Sequence, residues 1–410
     1  MRAMSRHAVI LGAGITGTLT GLALRRAGWR VTVLEARHVG AGSSSRTAAG
    51  IRQQFSTPET VLGMRHSVDV YTRFREEVGG DSVPIVQNGY LFLLGTDEEM
   101  AFARRRVRVQ RAAGLAEVEL LEHDALVSRF GWVDRHAVLG ATWCPTDGFL
   151  RPETVYNEAA NALRRLGGTI LQHAPVERAR HDGSGSLAAV RTPHGETAGD
   201  VFLDATNAWS PRVAQVLGAT VLPIAPRKRY LWMCERAGSL TPGELAAMPL
   251  VIAPSGAYCR PENGESMLMG WAHDAPDEPD FTDEDQDRIE ARFWHRSGTD
   301  NAGVETWASL AEVIPPLGEF AGLTATTCGY YGVTPDHNPF LGYDPAVPNL
   351  VRLAGFSGHG AMFGPFTAHV ARALCEAGRD LDTVETLGRP CPLTPFRVGR
   401  DFVHGEHMVI

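Results

Sequence analysis

The sequence predicts an α/β protein in two parts. One is a discontinuous unit on a parallel sheet; the other is an α+β unit on a mixed or antiparallel sheet. Three observations predict this. The first is an N-terminal run in which apolar His7–Leu11 leads into Gly12-Ala13-Gly14-Ile15-Thr16-Gly17. An amphipathic stretch, Thr18–Ala27, then ends at Gly28, and a second apolar run, Arg30–Leu34, is closed by Glu35. The second observation is that Asp200–Trp209 and Leu350–Ala354 are also apolar runs that deliver turns of small residues. The third is a change of texture over residues 82–144 and 219–327, which carry strand-like pieces such as Gly89–Leu94, Tyr230–Met233 and Ser266–Trp271.

Strand, GxGxxG turn, helix, strand and acid together form a dinucleotide-binding, Rossmann-like fingerprint. Gly12 permits the tight turn, Gly14 lets the backbone approach a pyrophosphate, and Gly17 lets helix and strand pack closely. The helix N-terminus offers free N–H groups and the positive end of its dipole to phosphates. Glu35 stands where a carboxylate accepts hydrogen bonds from ribose hydroxyls. With 44 glycines in 410 residues a lone GxGxxG would say little; the complete unit says much more. NAD and FAD both satisfy it.

Further along, Glu153–Leu166 reads as a helix ended by Gly167-Gly168, and Thr169–Leu171 as a strand. A C-terminal helix is expected from about Pro365 to Glu376, and a basic helix over Glu98–Ala113. Pro276–Asp287 is acidic and reads as an exposed loop leading into a helix. The expected nucleotide-binding unit spans residues 1–81, 145–218 and 328–410; the expected substrate unit spans 82–144 and 219–327.

Composition is that of a globular protein, with 44% hydrophobic and 21% charged residues. A net charge of −8 argues against a general nucleic-acid binder. No apolar run is long enough to span a membrane, and residues 1–6 carry no signal-peptide core, so a cytoplasmic location is expected. The six cysteines are scattered without a CxxC pair, and His66, His123 and His273 lack metal-ligand spacing. Neither a disulfide framework nor a metal is expected.

Several blocks, in order, carry a resemblance. They are the fingerprint, Gly42–Phe55, Cys144-Pro145-Thr146-Asp147-Gly148-Phe149, and Asp204-Ala205-Thr206-Asn207-Ala208-Trp209-Ser210. Thr334-Pro335-Asp336-His337-Asn338-Pro339 and Gly355-Phe356-Ser357-Gly358-His359-Gly360 complete the set. The chain resembles the FAD-dependent amine and amino-acid oxidoreductases, a family that includes D-amino-acid oxidase, glycine oxidase, sarcosine oxidase and dimethylglycine dehydrogenase. Gly50-Ile51-Arg52-Gln53-Gln54-Phe55-Ser56 is similar to the branch holding dye-linked proline dehydrogenase β-subunits and a mitochondrial complex I assembly flavoprotein.

The resemblance tips the cofactor to FAD. It implies a site built from Gly12, Gly14, Ile15, Thr16 and Gly17, with Glu35, Ala36 and Arg37 toward the adenosine. Ser43, Ser44, Ser45, Arg46, Ala49, Gly50 and Ile51 would lie near the pyrophosphate and flavin, and Val176, Ala205, Thr206 and Trp209 would line the nucleotide. Tyr331, Gly332, Gly358, His359, Gly360, Ala361 and Met362 would frame the isoalloxazine, with backbone N–H groups stabilising negative charge on the reduced ring.

Three departures from family patterns matter. Some relatives tether FAD through a cysteine five residues before the Thr-Pro-Asp; Gly329 stands there, with Cys328 one place off, so FAD is expected to be non-covalent. Glycine and D-amino-acid oxidases hold the substrate carboxylate with an arginine where Tyr331 stands. Two lysines of monomeric sarcosine oxidase, one binding the carboxylate and one aiding reaction with oxygen, become Met362 and Leu268.

Arg52 is the expected carboxylate anchor, because guanidinium and carboxylate are planar and pair bidentately; a structural arginine is the plainer alternative. Tyr331 and Tyr258 read either as pocket caps or as core residues. His359 reads as a base or as a backbone contact, and His337 as structural. Trp271 and Trp232 read as an aromatic wall or as core packing. The expected reaction is oxidation of the C–N bond of a small amino acid or of a secondary or N-methyl amine, by hydride transfer to flavin N5, giving an imine. Two alternatives stand beside it: a tailoring flavoenzyme acting on an unusual or carrier-bound amino acid, and a partner-dependent flavoprotein subunit or assembly factor that needs an electron-acceptor partner.

Overall fold

The computed structural model describes residues 6–271, 288, 302–319, 321–403 and 405–408. The acidic segment Pro276–Asp287 and His273 lie outside them.

His7–Leu11 forms the centre of a six-stranded sheet. Its neighbours are Arg30–Leu34 and then Thr169–Leu171 on one side, and Val201–Asp204, Leu350–Ala354 and Phe340–Tyr343 on the other. All pairs are parallel except the last, where Phe340–Tyr343 runs antiparallel to Leu350–Ala354. Side chains alternate across a strand. Ala8, Ile10, Val31 and Val33 therefore join one core and Val9, Leu11, Leu34 and Phe202 another. Both faces are covered, which is why these strands are apolar throughout. The helix Ile15–Arg26 packs on the first side, against helices Pro152–Arg165 and Gly360–Ala377.

Three expected boundaries move, each for a local reason. The first helix starts at Ile15, not Thr18, directly after Gly14. The strand expected over Asp200–Trp209 stops at Asp204, because the Asp204 carboxylate turns back to accept the N–H of Thr206 at 3.0 Å; Asn207–Trp209 is a single 3-10 turn. The C-terminal helix starts at Gly360, five residues before the expected Pro365. Pro365 has no N–H to offer the Ala361 carbonyl. The Tyr71 hydroxyl donates to that carbonyl instead, at 2.6 Å, so the helix runs through the proline.

The second sheet has eight strands, in the order Leu323–Val333, Ala225–Glu235, Ser266–Trp271, Ala257–Pro261, Leu250–Ile252, Tyr90–Leu94, Gly140–Cys144, Glu119–Glu122. It is antiparallel except where Leu250–Ile252 runs parallel to Tyr90–Leu94. The expected strand piece Gly89–Leu94 forms Tyr90–Leu94, and both its partners, Gly140–Cys144 and Leu250–Ile252, are distant in the chain. The strand Leu323–Val333 runs straight through the expected unit boundary at 327/328. One face of this sheet, with Tyr230, Trp232 and Cys328, packs on the helix Ala302–Val313 through Trp307 and Leu310. The other face, with Tyr90, Leu231, Tyr258 and Leu268, joins the larger core, on the side of the six-stranded sheet's helices.

Candidate active site

The N-terminal turn is held by its own backbone and by Glu35. Gly12 has φ +99°, a left-handed conformation that favours glycine, and its N–H donates to the Leu34 carbonyl at 2.8 Å. The Glu35 carboxylate accepts the N–H of Ala13 at 2.8 Å and that of Arg37 at 2.9 Å. A Cβ on Gly14 would stand 2.8 Å from the Ser44 hydroxyl, which accepts the Ile15 N–H at 3.0 Å. A Cβ on Gly17 would lie 1.9 Å from the Gly12 carbonyl oxygen. The turn can close only with these residues.

A cavity of about 530 Å³ opens beside this turn, a size typical of small-molecule and cofactor sites. Its lining includes Gly12, Gly14, Ile15, Thr16, Glu35, Ala36 and Arg37 from the first two strands and their turns. Ser43, Ser44, Arg46, Val176, Ala205, Thr206 and Trp209 add further walls, and Tyr331, Gly358, Gly360 and Ala361 complete it. Gly17 lies beneath the turn rather than on the cavity. Gly332 does not line it either; a Cβ there would stand 2.8 Å from the Asn207 side-chain oxygen, so its close approach supports the wall from behind. Ser45 is exposed, and Ile51 is buried in the core; neither reaches a cavity. Within the 3-10 turn Ser43–Ser45, Ser43 and Ser44 turn inward and Ser45 outward.

A second cavity, about 40 Å³, shares Thr47, Tyr331, Gly358 and Ala361 with the first. Its other walls include Ala49, Gly50, Tyr90, Tyr258, His359 and Met362. It has room for only a few atoms. The Tyr258 and Tyr331 hydroxyls are close enough that each acts on the ionisation of the other. Burial pushes the pKa of Tyr90, Tyr258 and Tyr331 upward, so all three stay protonated. Gly358, at φ +88°, exists for Tyr331: a Cβ there would fall 2.4 Å from its ring. Gly270 does the same for Tyr258, with 2.4 Å to the phenolic oxygen.

Arg52 does not line either cavity. It is fully buried, with its guanidinium 4.1 Å from the Phe55 ring centroid. Its N–H groups donate to the Gln54 carbonyl at 3.0 Å, to His359 Nε2 at 3.1 Å and to the Met408 carbonyl. Asp147 fixes the following residues by accepting the backbone and side-chain N–H groups of Gln53 at 2.9 and 3.0 Å, and that of Gln54 at 3.1 Å. Burial outweighs these donors and lifts the Asp147 pKa to about 6.

The base reading of His359 fails on this geometry. Its Nε2 accepts from Arg52, which assigns the proton to Nδ1 and leaves no lone pair free. Burial and then the Arg52 charge hold its pKa well below 6.5. The backbone reading remains, since His359 caps the helix Gly360–Ala377. The aromatic wall is also absent: Trp232 is buried on the far face of its sheet, and the Trp271 indole donates to Ser255 O at 3.0 Å. Neither lines either of these two cavities.

The sequence reading missed a buried network under the cavity floor. Arg352 donates to Asp204 at 3.1 Å and to Asp344 at 2.6 Å, and Ser210 donates to Asp204 at 2.6 Å. The signal was a charge inside the apolar run Leu350–Ala354, since a fully buried arginine must be paired. Asn207, at φ +49°, accepts the N–H groups of Gly355 and Phe356 at 3.1 Å each and so fixes the Gly355–Gly360 turn. Arg229 was missed as well; it lies on the cavity-facing side of its sheet, 5.7 Å from the Tyr331 ring centroid.

A parallel sheet whose glycine-rich first turn lines a cavity, joined by one continuous cavity wall to a tyrosine-lined sheet face, is the arrangement of a dinucleotide-dependent oxidoreductase. The family model for FAD dependent oxidoreductases matches residues 7–374, and the chain belongs to that family. It is 28% identical over 442 residues to FAD-dependent oxidoreductase domain-containing protein 1 of Bos taurus, covering 97% of this chain and 85% of the relative. It is 25% identical over 407 residues to glycine oxidase of Pseudomonas aeruginosa, covering 96% and 99%. Among solved structures, L-proline dehydrogenase from P. horikoshii superposes with a TM-score of 0.78 at 28% identity, covering 92% of this chain and 94% of that one. The protein is thus an FAD-dependent enzyme. No helix among the described residues is long and apolar enough to cross a membrane, and no cluster of three metal-ligating side chains occurs among them.

Proposed function

We propose that this protein oxidises the C–N bond of a small amino acid or of a secondary or N-methyl amine, releasing an imine. The observation that carries the reading is the junction of the two cavities at Tyr331 and Gly358. When bound, FAD supplies the two-electron acceptor. The glycine turn fits it: Gly12 and Gly14 line the cavity, and a Cβ on Gly12, Gly14 or Gly17 would run into Ala205, Ser44 or the Gly12 carbonyl and deform the turn that presents them. Gly12, Gly14, Ile15 and Thr16 would hold the pyrophosphate and Glu35 the ribose, with Ser43, Ser44 and Arg46 facing them across the cavity. Backbone N–H groups of Gly360 and Ala361, in the first helical turn, would meet negative charge near the ring.

FAD would be held non-covalently. A side chain at Gly329 would collide with Arg46, 2.8 Å away, and Cys328 is buried on the opposite face of the sheet. Among the described residues, the walls of the two cavities offer hydroxyl donors, and their one histidine, His359, already accepts from Arg52. The amine must therefore arrive neutral, and the barrier falls through orientation rather than proton abstraction. The likeness to L-proline dehydrogenase supports an acceptor other than oxygen, as does the apolar, buried Leu268 on the cavity side of the sheet.

The test is anaerobic. Yellow holoprotein is mixed with proline, sarcosine, glycine and D-amino acids, and flavin absorbance is followed. Bleaching by one of them is expected; bound FAD that no amine reduces overturns the reading. Reoxidation of the bleached protein by a dye faster than by air is the expected sign of the acceptor.

A further inference from the structure

We propose that Arg229, together with the Tyr258–Tyr331 hydroxyl pair, receives the carboxylate of an amino-acid substrate, and that Arg52 does not. The inference rests on the amino-acid reading above and names the group that selects the substrate class.

Strand Ala225–Glu235 alternates strictly between faces. Lys228, Tyr230, Trp232 and Cys234 are buried, the last three in the core beneath helix Ala302–Val313. Arg229 and Leu231 point the other way, and Leu231 belongs to the cavity-side core. The register sets Arg229 opposite Gly329 and Arg227 opposite Tyr331, so Arg229 is a diagonal neighbour of Tyr331. Its charge acts on the hydroxyls of both Tyr258 and Tyr331, in the direction that opposes their burial.

Arg229 is also under-used. Its guanidinium makes one hydrogen bond, to the Lys228 carbonyl at 3.2 Å, and its Nε is buried without a partner. No carboxylate among the described residues pairs with it. A planar cation beside two protonated hydroxyls is the donor set a carboxylate requires. Arg52 is the opposite case. Neither guanidinium is part of the cavity walls and each has a buried Nε without a partner; what sets Arg52 apart is that its terminal N–H groups are committed to Gln54, His359 and the tail at Met408. To meet a substrate it would have to leave all three acceptors.

The test uses holoenzyme and two inert carboxylates, benzoate and acetate, which should perturb the flavin spectrum of the wild type. Arg229→Gln should weaken benzoate binding about 100-fold, as expected for loss of a buried charge pair. It should raise KM for the bleaching amino acid by a similar factor, with a much smaller change in kcat. The advantage of that amino acid over its decarboxylated analogue, for example proline over pyrrolidine, should disappear. Arg229→Lys keeps the charge without the fork and should fall between. Guanidinium added to Arg229→Ala should restore part of the affinity. An Arg229→Gln holoenzyme that binds benzoate like the wild type overturns the inference, as does a wild type indifferent to both carboxylates. Bleaching by proline with no effect of Arg229→Gln removes Arg229 and leaves the amine-oxidising reading standing. No bleaching by any amine, with benzoate binding that Arg229→Gln abolishes, removes that reading and leaves Arg229 as an anion site.

Discussion

The two ends of the site are built in different ways. At the glycine-rich end, Gly12, Gly14, Gly17 and Glu35 lie within one strand–turn–helix–strand unit, and the polar atoms presented by the turn are mostly backbone N–H groups. At the tyrosine end, Tyr90, Tyr258 and Tyr331 come from three strands of the eight-stranded sheet, and the polar atoms presented are side-chain hydroxyls, with the Arg229 guanidinium beside the Tyr331 ring. The first end is fixed by chain geometry that tolerates no Cβ. The second is set by register across the sheet and changes with single side chains. Cofactor retention should therefore respond to the first end, and substrate choice to the second.

The largest separation is expected from Gly17→Val. Its side chain would collide with the Gly12 carbonyl, the helix would leave the turn, and the protein should purify colourless at any FAD concentration tested. A yellow Gly17→Val protein would break the comparison at its root. Arg352→Met, beneath the floor, leaves Asp204 and Asp344 buried without their partner and should cost about 3–5 kcal/mol in denaturant unfolding. Glu35→Ala removes the acceptor of the Ala13 and Arg37 N–H groups. FAD affinity should fall about 100-fold, read as the Kd of apoprotein reconstitution, while KM for substrate in saturating FAD stays near the wild-type value.

Asp147 provides a test in pH. Its folded pKa of about 6 lies above the ordinary carboxylate value of 3.8. Between those two pH values the folded state holds a proton that the unfolded state has released, so this group lowers stability as pH rises through the window. The loss amounts to about 3 kcal/mol, complete above the folded pKa. Unfolding free energy plotted against pH for wild type and Asp147→Asn should give a difference curve that carries this slope between the two pKa values and is flat above them. The smallest effect is expected at Tyr258→Phe, which deletes one hydroxyl. Catalytic efficiency should drop about tenfold with FAD affinity unchanged, which sharpens the division between the two ends.

The chain order alone determined the nucleotide end. A glycine that must adopt positive φ, a glycine that admits a helix and an acid after the second strand are all local requirements, so the fingerprint and the parallel sheet could be read from His7 to Glu35. The strand-like pieces of residues 82–144 and 219–327 also announced a second sheet, and the blocks around Thr334 and Gly355 pointed to FAD through resemblance. The start of the last helix was hidden because the rescue of Pro365 by Tyr71 spans nearly three hundred residues of chain. The fate of Arg52 was hidden for the same reason: its acceptors include a carbonyl on the C-terminal tail and a histidine on another element. Which arginine faces the tyrosines depends on strand register and on which side of the sheet meets the cavity. Those are properties of long-range pairing, and only the tertiary structure decided them.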